Sequence, residues 1–289
     1  MGAAGEDTKP VDTGAPGLAP RSDASRLAGL VRVTRNRVED DVRSRYLGSG
    51  LGIWWAVINP VVLMLTYLVI FGLVFKMRPP AHLPAIEPPM AAYLIFLMSG
   101  LIPWMAFNDG VLCGMEAICQ NGHIVKSIPF PLTVLPVSAV IANFVGFLVG
   151  AVMLGGALIA LGLPLRGSLL LLPVAMAIQA VFTIGLAWLL SALLVFVRDA
   201  RYIVHSLLTA GFFLSPVLWH PDQPELAPYR ELIAWNPLVP LITMYRNLLY
   251  EGRFLELGEL AYLIGWSCAL AWLGHRFFER TKPHFESLL

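Results

Sequence analysis

A chain of 289 residues that is 57% hydrophobic and only 13% charged, with a mean hydropathy of +0.70, is too apolar for an ordinary soluble domain, in which ~25% of residues are charged. The 20 Lys+Arg against 19 Asp+Glu leave a formal net charge of +1, so no broad basic surface recommends nucleic acid as a partner. Cys113, Cys119 and Cys268 lie in or beside apolar stretches at spacings that fit neither a zinc site nor a disulfide framework, and read as small apolar residues.

In chain order, residues 1–23 are rich in Gly, Ala, Pro and Asp, hold no apolar core, and read as a disordered cytoplasmic tail rather than a signal peptide. Residues 24–47 read as a helix lying along the membrane surface. Leu27, Val31, Val38, Val42 and Tyr46 recur at helical spacing while Arg35, Arg37, Glu39, Asp40 and Arg43 take other faces, a pattern too polar to span. Crossing a ~30 Å hydrocarbon layer takes about 20 apolar residues, and six stretches approach or exceed that: 53–75, 90–107, 137–163, 169–197, 202–219 and 257–277. The fold class expected is an all-α membrane protein, with a six-helix transmembrane domain over 48–281 and a short cytoplasmic tail over 282–289.

Charge placement sets the orientation. With a cytoplasmic N-terminus, the basic residues before the first span, those at Arg198 and Arg201 between the fourth and fifth, and Arg276, Arg280 and Lys282 after the sixth all fall on one side. With Lys9 and Lys126 they make 14 of the 20 basic residues, as the positive-inside rule requires. Both termini are therefore expected in the cytoplasm. The polar loop between spans two and three, around 114–131, suits the docking of a partner. The 35-residue segment between spans five and six is broken by Pro224, Pro228, Pro237 and Pro240 and is expected to dip back into the membrane as one or two short helices. The two halves show no sequence repeat, which argues against folds built from inverted repeats.

Chemistry-bearing motifs are scarce. The pattern G-x-x-x-x-G-K-[ST] is absent, so the chain does not bind ATP in that manner, and no H-E-x-x-H, G-x-S-x-G or His/Cys cluster appears. The ionisable groups near the spans, among them Asp109, Glu116, Asp199, His205 and Glu259, can each reach an interface. Aromatic residues are more suggestive. Trp54, Tyr67, Phe71, Tyr93, Phe96, Trp104, Phe107 and Phe144 lie on the first three spans. Rings of this kind stack on the C–H faces of sugars and so are candidates to line a glycan channel, although interface belts and lipid-facing packing use many such residues.

The run RSRYLGSGLGIWWAVINP, residues 43–60, resembles the segment leading into the first span of ABC exporter permeases for polysaccharides and polyol phosphates. That family commonly reads [KR]-Y-[RK]-G-S-x-L-G-x-x-W-x-x-x-x-P; Leu47 departs from it where a basic residue is usual. The stretches GLIPW at 100–104, 121–131, RDAR at 198–201, FLSPV at 213–217 and NPL at 236–238 ahead of Arg246 are also similar to the family, in the same order. The resemblance implies a homodimer enclosing a channel, joined to two copies of a separate cytoplasmic ATPase that binds ATP and Mg, with no cofactor in this chain. It places Arg35, Arg37, Arg43, Arg45, Glu116, Asn121 and Lys126 at the coupling surface, with Arg198 and Asp199 as a second contact. It makes residues 220–254 an extracytoplasmic gate that includes Trp235, Asn236, Pro237 and Arg246, with Pro216 and Pro237 setting bends. The implied function is export of a lipid-linked polysaccharide of O-antigen, galactan or teichoic-acid type across the bacterial inner membrane. The rival readings are an ABC exporter of drugs or small lipids, and a membrane enzyme acting on lipid-linked sugars, for which Asp109 and His123 are the only plausible pair.

Overall fold

The computed structural model describes residues 23–46, 52–75, 89–127, 130–163 and 166–288. Residues 1–22 of the tail expected over 1–23 and the 47–51 part of the first motif lie outside the described residues, and Asp23 already belongs to the first helix. Within them every regular element is helical. Four helical stretches, Met90–Gln120, Val134–Ala160, Gly167–Phe196 and Leu257–Leu288, are long and apolar enough to cross a membrane, and two further apolar helices are shorter.

Helix α1 (Asp23–Tyr46) packs along α5 (Val134–Ala160). Helix α2 (Trp55–Tyr67) carries Pro60 and runs on into a wider π-turn over Leu68–Val74. The hub is α3 (Pro89–Gln120), whose 32 residues make a rod of ~48 Å at 1.5 Å per residue, well beyond a ~30 Å hydrocarbon layer. The second apolar stretch was expected to end near residue 107, but the helix carries on for three more turns and a short α4 (Gly122–Ser127) follows after Asn121. In the apolar window of α3, 78% is buried, against 17% for α10 (Leu257–Thr281). Thus α3 is enclosed by its neighbours, while α10 presents Ile264, Trp266, Trp272 and Leu273 outward.

Helix α6 (Leu172–Phe196) lies between α3 and α10, and small residues set how close these helices come. A Cβ at Gly114 would stand 2.6 Å from Ala187 Cβ, one at Gly185 would strike the backbone of Leu270 and Ala271, and one at Gly274 would strike the Gly185 carbonyl. Lipid tails are as apolar as leucine, so such backbone approach, rather than burial from water, drives helices together in a membrane.

Helix α7 (Ala200–Leu214) has 15 residues, about 22 Å. Its sequence predicts a span over 202–219, yet the helix stops at Leu214. Pro216 explains the break, because a proline pushes the residue before it out of the helical region, and Ser215 is extended at φ −98°, ψ 151°. The segment that follows forms a 3-10 turn over Pro224–Tyr229, then α8 (Arg230–Ala234), α9 (Leu238–Arg246) and a π-turn over Asn247–Glu251. These are the short helices expected there, and α9 buries Val239 to Ile242 and Met244 to Arg246 against the rest of the chain. After α10, Lys282–His284 and α11 (Phe285–Leu288) fold back, with Phe285 fully buried against Phe278 and Phe196.

Candidate functional site

Polar side chains gather at two ends of the bundle. At the α1 end, a compact apolar cluster that includes Ile118, Val125, Leu135, Val195, Phe278 and Phe285 ties together the ends of α3, α6 and α10 with α4 and α11. Arg37 of α1 donates from Nη2 to Asn121 Oδ1 at 2.8 Å and lies 3.4 Å from Asp41 Oδ1 one turn along. Asp41 Oδ2 in turn accepts from Ser138 Oγ of α5 at 3.0 Å, and Asn121 Nδ2 donates to the Ala117 carbonyl. α1 is thus fastened to the end of α3 and the start of α5 by charge-assisted bonds, the stronger kind.

Beside this, Glu116 receives two donors. Arg201 Nε approaches Oε1 at 2.9 Å and Gln120 Nε2 approaches Oε2 at 2.7 Å. Arg201 opens α7, so this ion pair joins α7 to α3. The adjoining turn holds Arg198 and Asp199, both exposed. With Cys119, Leu194, Val195, Arg201, Tyr202 and Leu288 they line a cleft of about 470 Å³.

Of the residues nominated from sequence for partner coupling, Arg37 meets Asn121, and Glu116 lies beside the Arg198–Asp199 turn through Arg201. Arg35 pairs only along its own helix, with Glu39 at 3.5 Å. Arg43 and Lys126 are exposed, and the side chain of Arg45 lies outside the described residues. Sequence reasoning passes over Asp41, Ser138 and Arg201 as site residues. Asp41 stands four residues after Arg37, a helical pairing distance that gave a usable signal; Ser138 carries none.

At the α9 end, the broken end of α7 leaves carbonyls without helical donors, and side chains from further along the chain supply them. Asn236 Nδ2 donates to the Leu214 carbonyl at 3.2 Å, and Trp219 Nε1 to the Phe213 carbonyl at 3.0 Å. Asn236 Oδ1 also accepts from the Leu238 amide at 3.0 Å, capping the start of α9. From the other end of α9, Arg246 donates from Nη1 to the Trp219 carbonyl at 2.8 Å and from Nη2 to the Val217 carbonyl at 2.6 Å. Its guanidinium lies 4.0 Å above the Phe96 ring, within cation–π range. Arg246 is only 3% exposed and Pro216 is buried. Trp235, by contrast, is 75% exposed, with its carbonyl accepting from the Tyr262 hydroxyl.

The aromatic residues nominated from sequence are mostly enclosed within the single chain. Tyr93, Phe96, Trp104, Phe107 and Phe144 are all less than a tenth exposed. Tyr67 stacks on Phe71 and on Phe212, Phe212 meets Trp104, Trp104 meets Phe107, and Phe107 meets Phe182, each with centroids 5.6–5.8 Å apart. The row links α2, α7, α3 and α6 through the core. Trp54 and Trp55 are exposed. Buried Gln179 of α6, missed from sequence, donates to the Pro103 carbonyl of α3 at 2.9 Å; a lone amide in an otherwise apolar span was the available signal.

No group of three or more His, Cys, Asp or Glu side chains among the described residues is placed to hold a metal ion. Residues 38–250, which include the α9 end and most of the α1 end but not Arg37, match the ABC-2 type transporter family. The chain is 32% identical over 249 residues to the O-antigen export system permease protein RfbA of Myxococcus xanthus, an alignment covering 86% of this chain and 92% of that one. It is 28% identical over 266 residues to the O-antigen export system permease protein RfbA of Klebsiella pneumoniae, covering 91% and 96%. It is also 25% identical over 250 residues to the polysialic acid transport protein KpsM of Escherichia coli, covering 84% and 90%.

Proposed function

The chain belongs to the ABC-2 type transporter family, and from that footing we propose that it is the transmembrane permease subunit of an exporter that moves lipid-linked polysaccharide from the cytoplasmic to the outer face of the bacterial inner membrane. It is a multi-pass membrane protein and not itself an enzyme; the family implies a polysaccharide substrate and a separate ATPase partner. The observation that carries the reading is the likeness to O-antigen export permeases along 86–91% of the chain, rather than along one motif.

In this reading six helices cross the membrane: the four long ones plus α2 with its π-turn and the shorter α7. Both termini face the cytoplasm. Two copies of the chain enclose the channel, and two ATPase subunits, which bind ATP and Mg, dock at the α1 end. Supporting that assignment, α1, the end of α3, α4 and the Arg198–Asp199 turn converge there, and Arg37, Glu116, Asn121 and Arg201 connect three of them by polar contacts. A push on that surface has two routes into the bundle, α3 and α7. Residues 220–254 form the outer gate, and the exported polymer is of O-antigen, galactan or teichoic-acid type.

Tagged protein purified from its native membrane should bring down a soluble ATPase and acquire vanadate-sensitive ATP hydrolysis. Depleting the chain should accumulate finished lipid-linked glycan on the inner leaflet. Normal surface polymer after full depletion would remove the proposal.

A further inference from the structure

A buried charged side chain is expensive and is kept where it does something that packing cannot. Arg246, only 3% exposed, is such a residue. A leucine or methionine there would hold α9 by contact alone, whereas the planar guanidinium fork reads two particular carbonyls, those of Val217 and Trp219. Those carbonyls belong to the non-helical segment after Pro216, whose backbone needs donors from elsewhere in a low-dielectric surrounding. The third side of the site is α3. Phe96 floors the guanidinium, and Gly100 leaves the room it occupies, since a Cβ there would stand 2.8 Å from Arg246 Nη2 and 3.2 Å from the Cα and O of Val217. At the opposite end of α9, Asn236 caps the helix with one side-chain atom and holds the Leu214 carbonyl with the other.

We propose that α9 is a strut fastened at both ends to the exit segment of α7, by Asn236 at its start and Arg246 at its finish, so that the outer mouth of the channel stays sealed at rest and opens only when α7 moves. Arg246 is then a positioning residue, acting through the backbone of residues 217–219 rather than on the polymer. The proposal rests on the reading of residues 220–254 as the outer gate. It adds how that gate is held, and from which helix it takes its movement. The ion pair of Arg201 with Glu116 marks the other end of the same helix, so α7 links the two polar ends of the bundle.

The test reconstitutes the full-length chain into vesicles of phosphatidylethanolamine and phosphatidylglycerol loaded with carboxyfluorescein, and measures passive release without nucleotide. Arg246→Ala, which removes a buried and a part-buried bond to the exit segment, should speed release at least about tenfold over wild type, and Asn236→Ala, which removes one exposed bond to it, should speed release by a smaller factor. Arg246→Lys keeps the charge but loses the fork and should fall between. Gly100→Ala keeps the arginine but puts a methyl group 2.8 Å from Nη2 and 3.2 Å from the Val217 backbone, forcing the fork off its carbonyls, and should leak like Arg246→Ala. Melting temperature and elution profile are recorded for each variant, because a residue that only stabilised the fold would change those and not the release from correctly folded protein. Should Arg246→Ala fail to fold, Gly100→Ala and Asn236→Ala carry the comparison. Folded variants as tight as wild type, or a wild type as leaky as they are, would overturn the strut. No ATPase takes part in this readout, so a negative result here leaves the permease reading standing, and that reading fails only by its own co-purification and depletion experiments.

Discussion

The Glu116 carboxylate takes one oxygen to Arg201 and the other to Gln120, so a single residue holds the first turn of α7 to the last turns of α3. Arg201 is half exposed, and exposed ion pairs contribute under about 1 kcal/mol to stability. Glu116→Arg and Arg201→Glu should therefore leave the protein folded while weakening the link between the two helices. Each reversal alone should lower nucleotide-driven export several-fold at nearly unchanged melting temperature, and combining them should recover much of the loss, as a direct pair requires. Export assayed in cells beside thermal melts of the purified variants checks this; a double reversal no better than either single one would show that the pair does not couple the helices. Of this pair, sequence reading nominated only Glu116. Arg201 was visible inside the RDAR motif but nothing in the linear pattern said which acidic group, 85 positions away, it would meet. Arg246 was named only through the family resemblance, as part of the gate, and the linear pattern did not say which carbonyls it would meet.

Among the elements, α6 and α10 meet through two glycines. Gly185→Leu and Gly274→Leu should each destabilise the protein by about 3 kcal/mol or prevent insertion, because the new side chain meets backbone that cannot step aside. Gly156→Leu, on an outward face with nothing within 4 Å of its Cβ, should be tolerated. Thermal melting in detergent distinguishes the three. Apolar run length predicted where the four long helices lie, because that quantity is what a membrane selects. It misplaced two ends for local reasons. The turns of α3 beyond Phe107 stay helical where Gly110 and Gly114 pack on Val140 of α5 and on Thr183 and Ala187 of α6, and where Glu116 pairs with Arg201 of α7, which composition does not register. α7 stops early because the Ser215–Pro216 pair outweighs the apolar residues after it. Helix α1 was legible from its apolar spacing, and the short helices between α7 and α10 from their prolines.

Taken as a whole molecule, one end gathers basic and polar groups from five elements and the other gathers the irregular backbone. If the first end receives the ATPase, reversing charge at exposed Arg43 or Lys126 should reduce the ATPase recovered with the tagged chain several-fold while membrane insertion stays intact; unchanged recovery in both variants would refute that surface. The channel aromatics were the least legible part. A sequence shows that a ring sits on a span but not which way it faces, and five of the eight named rings lie in the core of one chain. The length of α3 has a mechanical corollary. Gly100, about three turns into the helix, is wedged against Val217 and Arg246, and Glu116, sixteen residues or ~24 Å further along, is held by Arg201. A piston stroke of one helical turn would tear both attachments at once. The motion left to such a rod is a pivot about a point between them, in which a small tilt at one end returns as an opposite tilt at the other.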